Sequence, residues 1–311
     1  MMIHIDERFR RRAGEFFKGE GLAWVERLPE IGAELERRWD LTILPPFPLS
    51  INYVAPVRLG GGGRAVIKLG FPGREFVSEC RALKLCGGRG MARVLADDLE
   101  IGAMLLERLE PGTMLLSVQA ESDERATEIA ADTLAALRMP LPANHGLIPL
   151  AEWARGLKTL RERYQGGVGP LWEKEVERAE AMFRDLLPSA GPDCLLHGDY
   201  HHGNILLDRS GGADEWKVID PKGLAGDPAY EIGQFMLNPW ETLPPRAELK
   251  RLLARRLAIF CERAGLDRAR ALGFAIGQCS LSAWWMVEDH GEGVDVTQNM
   301  VISELLGELA G

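Results

Sequence analysis

The chain has 311 residues, and 37 Lys and Arg stand against 46 Asp and Glu, which gives a formal net charge of −9. That length predicts one large domain or two lobes, and the acidic balance argues against a nucleic-acid partner. Five scattered cysteines with no CxxC pair argue against a disulfide framework and a structural zinc site. The charged N-terminal residues and the lack of a long apolar run predict a cytoplasmic protein with no membrane span. No obligate protein partner is evident from the sequence.

The first third of the chain predicts strands flanked by helices. Apolar residues at helical spacing predict two short amphipathic helices over 1–40, broken at Pro29. β-branched residues then predict two strands joined by the glycines at 60–63, which are more typical of a hairpin tip than of a phosphate loop. A helix over 74–85 and two or three strands over 91–110 complete this part.

The remainder of the chain is predicted to be mostly helical. Helical spacing dominates beyond Pro111, apart from one pair of strands joined by a Gly-Gly turn near residue 211. We therefore predict an α+β fold, with a small antiparallel-sheet lobe over residues 1–110 and a larger helical lobe over 111–311.

The densest chemical signal is LLHGDYHHGNILLD at 195–208, followed by VIDPKGLAGDPAYE at 218–231. Two acids and one amide, Asp199, Asp220 and Asn204, suit phosphoryl transfer to an alcohol. One aspartate can accept the hydroxyl proton, while the amide and the other aspartate can hold a Mg²⁺ ion that bridges the phosphates of ATP. The pattern HGDxxxxN arises by chance in about one in a thousand chains of this length. The alternative is a polar turn without chemistry.

These motifs resemble the aminoglycoside phosphotransferase family, which is related to the protein kinases. Together with NYVAPV, VIKLG, LLERLEPGT and the tract DPKGL at 220–224, they resemble its streptomycin 6-phosphotransferase and hydroxyurea phosphotransferase branch. The resemblance covers about residues 40–240 and implies a protein-kinase-like fold of two lobes. It also implies that Asp199 is the catalytic base, that Asn204 and Asp220 are Mg²⁺ ligands, and that His197 braces the catalytic loop.

The nucleotide-binding candidates lie in the first third of the chain. In kinase-like folds, a lysine in mid-strand holds the α- and β-phosphates and is positioned by a glutamate from a helix, and Lys68 and Glu79 fit these roles. The alternative for Lys68 is a surface position on an edge strand. Ser50 and Asn52 are expected to cover the phosphates.

Two further sets of residues are expected to support the site. The backbone of Glu107 to Leu109 would be the hinge that contacts the edge of adenine. Glu231 stands where the family usually carries an Asp, and the resemblance implies that it accepts hydrogen bonds from backbone N–H groups of the catalytic loop.

Three acids, Asp227, Glu288 and Asp289, are candidates for binding a cationic small-molecule acceptor. The alternative for Asp227 is a cap of the helix that begins at Pro228. For the other two acids, which follow Trp284 and Trp285, the alternative is an exposed helix end. The branch resemblance implies streptomycin, at its 6-hydroxyl, as the acceptor.

Two other functions remain open from the sequence. A metabolic kinase for choline, homoserine, a fructosamine or a sugar would share every catalytic residue. A non-catalytic nucleotide-binding relative is the third hypothesis, although the complete catalytic set argues against it. The six residues between Asp220 and Asp227 are too few for an activation segment, which argues against a protein kinase.

Overall fold

The computed structural model describes residue 3 and residues 5–310, without the side chain of Lys18. The helices within these residues are α1 (Glu7–Phe16), α2 (Lys18–Arg38), α3 (Arg74–Cys86), α4 (Leu116–Glu121), α5 (Asp123–Leu137), α6 (Leu150–Trp153), α7 (Gly156–Arg163), α8 (Glu173–Leu186), α9 (Ile232–Leu237), α10 (Arg246–Arg263), α11 (Arg268–His290) and α12 (Thr297–Glu308). The strands are β1 (Leu41–Ile43), β2 (Tyr53–Leu59), β3 (Arg64–Leu69), β4 (Val94–Asp98), β5 (Ala103–Glu107), β6 (Pro111–Met114), β7 (Ile148–Pro149), β8 (Cys194–Leu196), β9 (Ile205–Asp208), β10 (Glu215–Val218) and β11 (Leu224–Gly226).

Five strands form one antiparallel sheet in the order β1-β2-β3-β5-β4. The glycine-rich turn at 60–63 joins β2 to β3, so the hairpin-tip prediction is confirmed. Lys68 pairs with Val54 on one side and with Met104 on the other, which places it on the central strand. The edge-strand alternative for this lysine is therefore wrong.

The two faces of β3 have different environments because successive side chains of a strand point in opposite directions. Ala65, Ile67 and Leu69 are fully buried in a hydrophobic core that they share with α1 and α2. Lys68 lies on the opposite face, beside α3. The N-terminal helices thus cover one face of the sheet, and the other face is left for α3 and a cleft.

The predicted break at Pro29 is wrong, because Pro29 lies inside α2 and the two helices meet at Phe17. A proline in a helix interior costs about 3 kcal/mol. Burial of an apolar side chain gives about 1.5–3 kcal/mol. The neighbours Val25, Leu28 and Leu35 are fully buried against the sheet and offset that cost.

The larger part of the chain is helical and has its own hydrophobic core around α11. β8 pairs antiparallel with β11, and this pairing sets the loop after β8 beside the segment before β11. The predicted strand pair is present as β9 and β10. The α+β prediction, a small antiparallel sheet with a larger helical part, is therefore confirmed, while the division at residue 110 stays a prediction. Within residues 5–310, no helix has both the length and the apolar character that crossing a membrane requires.

Candidate active site

Three charged side chains lie at the base of the cleft: Lys68 and Glu79 are buried, and Asp220 is partly exposed. Lys68 Nζ donates hydrogen bonds to Glu79 Oε1 of α3 at 2.5 Å and to Asp220 Oδ1, which follows β10, at 3.1 Å. Burial alone would lower the pKa of Lys68, but the two carboxylates raise it above its usual value, so the side chain stays an ammonium ion. Burial opposes ionisation of Asp220 as well, yet the charge of Lys68 lowers the pKa of this carboxyl.

Two buried side chains hold the loop that carries Asp199. Glu231 accepts hydrogen bonds from the backbone N–H groups of His197 and Gly198, one on each carboxylate oxygen, as the sequence predicted. His197 Nδ1 accepts from the N–H of Asp199 at 3.1 Å, and its Nε2 lies 2.8 Å from Ile219 O. Because burial lowers the pKa of His197 to about 4, the ring is neutral and Nε2 carries the proton donated to Ile219. His197 therefore joins the Asp199 loop to the strand that leads to Asp220.

Asp199 and Asn204 lie at the two ends of this loop. Asn204 Nδ2 donates to the backbone oxygen of Asp199 at 3.0 Å. The amide nitrogen is thus used within the loop, and the amide oxygen is the atom left to bind a ligand. The side chain of Asp199 is 30% exposed, and its Oδ1 lies 3.8 Å from His201 Nε2.

The segment after Asp220 is fixed to the Asp199 loop and to α3. The N–H of Lys222 donates to His197 O at 2.6 Å. Gly223 has a φ of 68°, and a Cβ at this position would lie 2.3 Å from Ser78 O, so only glycine permits the contact with α3. The loop that carries Asp199, the segment after Asp220 and α3 are therefore held together as one unit.

The cleft above this unit has two adjoining compartments. The first, the lysine compartment, has a volume of about 660 Å³, and its lining includes Ser50, Asn52, Lys68, Glu79, Asn204 and Asp220. The second, the tryptophan compartment, has a volume of about 570 Å³, and its lining includes Glu152, Trp153, Gln234, Trp285, Glu288 and Asp289. Six described residues line both compartments: Phe16, Ile51, Arg74, Glu75, Asp199 and Lys222. Both volumes suit small molecules.

The tryptophan compartment combines aromatic rings with carboxylates. The rings of Trp153 and Trp285 lie 5.2 Å apart and are tilted by 60°. Glu288 and Asp289 follow Trp285 by three and four positions on α11, so the three side chains share one face of the helix. Partial burial raises the pKa of Asp289, although His290 and Lys222 oppose the rise.

Most of the predicted site residues meet in this cleft. The predicted residues that line it are Ser50, Asn52, Lys68, Glu79, Asp199, Asn204, Asp220, Glu288 and Asp289. His197 and Glu231 lie directly beneath it, where they support the loop.

Asp227, a predicted substrate residue, does not line either compartment. Its Oδ1 accepts from the N–H of Ala229 at 2.9 Å, and its Oδ2 accepts from Arg270 Nε at 2.7 Å. Both oxygens are used to begin a helical turn at Pro228 and to bind α11. This position fits the capping alternative and not the contact with an acceptor.

The predicted hinge residues are also outside the lining of the two compartments. The carboxylate of Glu107 accepts from Lys217 Nζ at 3.2 Å and from the N–H of Arg93 at 3.0 Å, and Leu109 is buried. A contact between this backbone and adenine stays a prediction.

Sequence reasoning missed several residues of the cleft. Phe16 comes from the end of α1, and its place at the junction of the compartments has no local signal in the sequence. Arg74 donates two hydrogen bonds to Glu152, which joins α3 to α6 across the cleft. Trp285 could have been found, because its spacing to Glu288 and Asp289 puts it on their face of a helix.

Comparison with known proteins agrees with the motifs. Residues 48–290 match the family model described as aminoglycoside/hydroxyurea antibiotic resistance kinase. A streptomycin 6-kinase of Streptomyces glaucescens is 32% identical over 94% of this chain and 94% of its own length. A hydroxyurea phosphotransferase of Kitasatospora aureofaciens is 32% identical over 94% of this chain and 82% of its own length.

Solved structures support the fold. The choline kinase LicA of Streptococcus pneumoniae superposes with a TM-score of 0.59 at 14% identity, covering 90% of this chain and 98% of that chain. LicA has also been solved in complex with AMP. The protein-kinase-like fold of two lobes is therefore confirmed for this chain.

Proposed function

The chain belongs to the aminoglycoside/hydroxyurea antibiotic resistance kinase family, and from this premise we propose that it transfers the γ-phosphoryl group of ATP to the 6-hydroxyl of streptomycin. The family makes the protein a phosphotransferase. The streptomycin acceptor follows from the 6-kinase relative, which matches over most of both chains. The observation that carries the proposal is the position of Asp199, which lines both compartments of the cleft. A base that takes a proton from the acceptor has to lie where donor and acceptor meet.

In this proposal the lysine compartment binds the nucleotide. Lys68 contacts the α- and β-phosphates, and Glu79 holds its ammonium group in place. Ser50 and Asn52 cover the phosphates from the loop before β2. Asp199 accepts the proton of the attacking hydroxyl, while His197 and Glu231 keep its loop in position.

The residues present fit a magnesium ion. Mg²⁺ prefers oxygen ligands, and it is usually held by one or two carboxylates together with substrate phosphates and water. Asp220 offers a carboxylate that is 44% exposed to the cleft, and Asn204 offers its amide oxygen. Within the described residues, no cluster of three or more His, Cys, Asp and Glu side chains is arranged for a metal. Bound there, the ion would neutralise negative charge on the β- and γ-phosphates.

The tryptophan compartment supplies the acceptor site. Streptomycin carries two guanidinium groups, and Glu288 and Asp289 present carboxylates beside the Trp153 and Trp285 rings. A hydrogen bond to a charged group contributes on the order of 1.5–3 kcal/mol. Guanidinium groups also stack on aromatic faces. Asp227, which pairs with Arg270, has no part in this site.

A direct phosphorylation assay tests the proposal. We expect the purified protein, supplied with ATP and Mg²⁺, to add one phosphate to streptomycin, and fragment mass spectrometry or ³¹P NMR should place it on the 6-hydroxyl. Hydroxyurea, a neutral acceptor, is the comparison. Phosphorylation of hydroxyurea without streptomycin would contradict the cationic acceptor site and leave the kinase assignment intact. Transfer to choline, homoserine, a fructosamine or a sugar, with none to streptomycin or hydroxyurea, would instead identify a metabolic kinase.

A further inference from the structure

Lys222 is the one residue of the DPKGL tract whose side chain reaches both compartments, and the roles proposed above do not use it. We propose that Lys222 is a catalytic residue whose ammonium group contacts the γ-phosphoryl group during its transfer. This inference rests on the proposed function, because it concerns the same reaction.

The position of Lys222 is fixed from the catalytic loop. Its N–H donates to His197 O at 2.6 Å. Gly198 precedes Asp199 with a φ of 80°, and a Cβ at Gly198 would lie 3.1 Å from the Cβ of Lys222. The start of the lysine side chain therefore packs directly on the loop that carries the proposed base. The ammonium group lies 3.8 Å from Glu75 Oε2, and Glu75, like Asp199, lines both compartments.

The charges around Lys222 show that it is available to a ligand. Of the cations that line both compartments within the described residues, Arg74 is held by two hydrogen bonds to Glu152. Lys222 has only one described ion pair, a contact of 3.8 Å with Glu75 Oε2, and its side chain is 31% exposed. Lys68, by contrast, is 3% exposed and bound by two carboxylates. Lys222 can thus turn towards a phosphate without losing a strong contact.

The charge of Lys222 already acts on Asp220 and Asp289, and a phosphoryl group in transfer would bring further negative charge to it. Its charge would repel a cationic acceptor in the tryptophan compartment. During transfer, the acceptor oxygen forms a bond to the γ-phosphorus, the bond from that phosphorus to the β–γ bridging oxygen breaks, and the electron pair stays on ADP. The hydroxyl proton goes to Asp199, and Lys222 keeps its proton and donates a hydrogen bond to an oxygen of the moving phosphoryl group. Groups placed to meet this charge in a cleft lower the barrier more than they strengthen ground-state binding.

The first test compares Lys222→Met and Lys222→Arg with the wild type. We expect Lys222→Met to lower kcat roughly 100-fold, while KM for ATP and for streptomycin changes less than about threefold. Lys222→Arg should recover at least about tenfold of that loss, because it keeps the charge. Lys84→Met is the matched control, since Lys84 pairs with Asp97 at 2.6 Å outside the cleft. A rise in the KM for streptomycin with unchanged kcat would overturn the inference, because Lys222 would then serve acceptor binding.

The second test measures binding and does not depend on the acceptor. ADP with aluminium fluoride and Mg²⁺ imitates the phosphoryl group in transfer, and Lys222→Met should bind this mixture at least about tenfold more weakly than the wild type while binding ADP alone equally. Equal affinity for the mixture would overturn the inference. If the wild type fails to phosphorylate streptomycin, the proposed function fails, but this measurement still decides the role of Lys222.

The third test separates a contact with phosphate from a structural ion pair. If Lys222 acted only through Glu75, Lys222→Met would cause no further loss of kcat in a Glu75→Gln background. We expect Lys222→Met to lower kcat as much in the Glu75→Gln background as it does in the wild type.

Discussion

The two compartments of the cleft hold their charged side chains in different ways. In the lysine compartment, the charges of Lys68, Glu79 and Asp220 are joined by hydrogen bonds, and His197 and Glu231 hold the neighbouring Asp199 loop from below. In the tryptophan compartment, Glu288 and Asp289 lie on the exposed end of α11, beside two aromatic rings. The charged side chains of the lysine compartment are therefore already oriented by one another without a ligand. Those of the tryptophan compartment are open to a ligand.

This difference suits the two tasks that we propose. Phosphoryl transfer depends on groups that are already oriented when the charge develops, because reorganisation during the reaction would raise the barrier. Acceptor choice depends on complementary charge and shape, which exposed side chains can supply. Substitutions in the first compartment should therefore change kcat or nucleotide binding, and substitutions in the second should change KM for the acceptor.

The largest expected effect comes from Asp199 at the junction of the compartments. Asp199→Ala should lower kcat about 1,000-fold or more and leave ATP affinity nearly unchanged, because the base acts in the transition state. Steady-state kinetics and calorimetric titration of ATP measure the two quantities. Asp214→Ala, which removes a surface carboxylate paired with Arg209 at 2.8 Å, is the control and should keep normal turnover. Near-normal turnover in Asp199→Ala would refute its assignment as the base.

A smaller effect is expected from Asp220, which tests the metal site. Asp220→Asn keeps an oxygen near Lys68 but removes the anionic ligand, so Mg²⁺-dependent ATP binding should weaken at least about tenfold. Calorimetric titration of ATP with and without Mg²⁺ separates the loss of metal binding from a loss of nucleotide binding. If Mg²⁺ raised the affinity for ATP equally in the wild type and in Asp220→Asn, the assignment of Asp220 as a Mg²⁺ ligand would be contradicted.

The acceptor compartment should respond differently. Asp289→Asn should raise KM for streptomycin roughly tenfold and leave KM for ATP unchanged, because a guanidinium group loses one charged partner. Added salt should reduce the difference between the variant and the wild type, since salt screens the attraction. Glu292→Gln is the matched control, because Glu292 follows α11 but does not line either compartment. A change in kcat or in KM for ATP in Asp289→Asn would show that the two compartments do not serve separate tasks.

A separate expected effect concerns stability beneath the catalytic loop and not activity. His202 is buried and stacks on Phe235 at 3.9 Å, and neither ring nitrogen has a hydrogen-bond partner among the described residues. Burial lowers the pKa of His202 from 6.5 to about 2 in the folded protein. Between these values the unfolded chain binds a proton that the folded protein does not bind. This contribution to stability is therefore complete above pH 6.5 and is lost as the pH falls, by about 2 kcal/mol at pH 5.

His202→Leu tests this linkage. Between pH 7.5 and pH 5, its free energy of unfolding, measured by urea denaturation, should fall about 2 kcal/mol less than that of the wild type. The difference between pH 7.5 and pH 5 is taken for each protein separately, so a change in stability caused by altered packing in His202→Leu cancels. An identical pH dependence in both proteins would show that His202 binds its proton equally in the folded and unfolded states, which contradicts the lowered pKa.

Local patterns in the sequence, read together with the family resemblance, predicted which residues lie in the lysine compartment. Alternation along β3 put Lys68 on the face opposite Ile67, and helical spacing put Glu79 on α3. The HGDxxxxN motif placed Asp199 and Asn204 on one loop, and Glu231 makes the predicted contacts with it. The positions of Lys68, Glu79, Asp199 and Asn204 could be predicted because each depends on a short stretch of chain with one backbone geometry. The contact of Glu231 with the loop joins residues more than thirty positions apart, and it was expected from the family resemblance.

Tertiary structure alone decided the other features of the cleft. Whether Asp227 meets a substrate or caps a helix depended on Arg270, which comes from a distant helix and takes one carboxylate oxygen. Phe16 lines the junction of the compartments from the last position of α1, and α1 ends there because the chain changes direction at Phe17 and not at Pro29, which lies inside α2. The place of Lys222 at the same junction depends on the docking of its segment against His197. Spacing along the chain specifies which residues share a face of one element, but contacts between distant elements depend on how their buried surfaces pack.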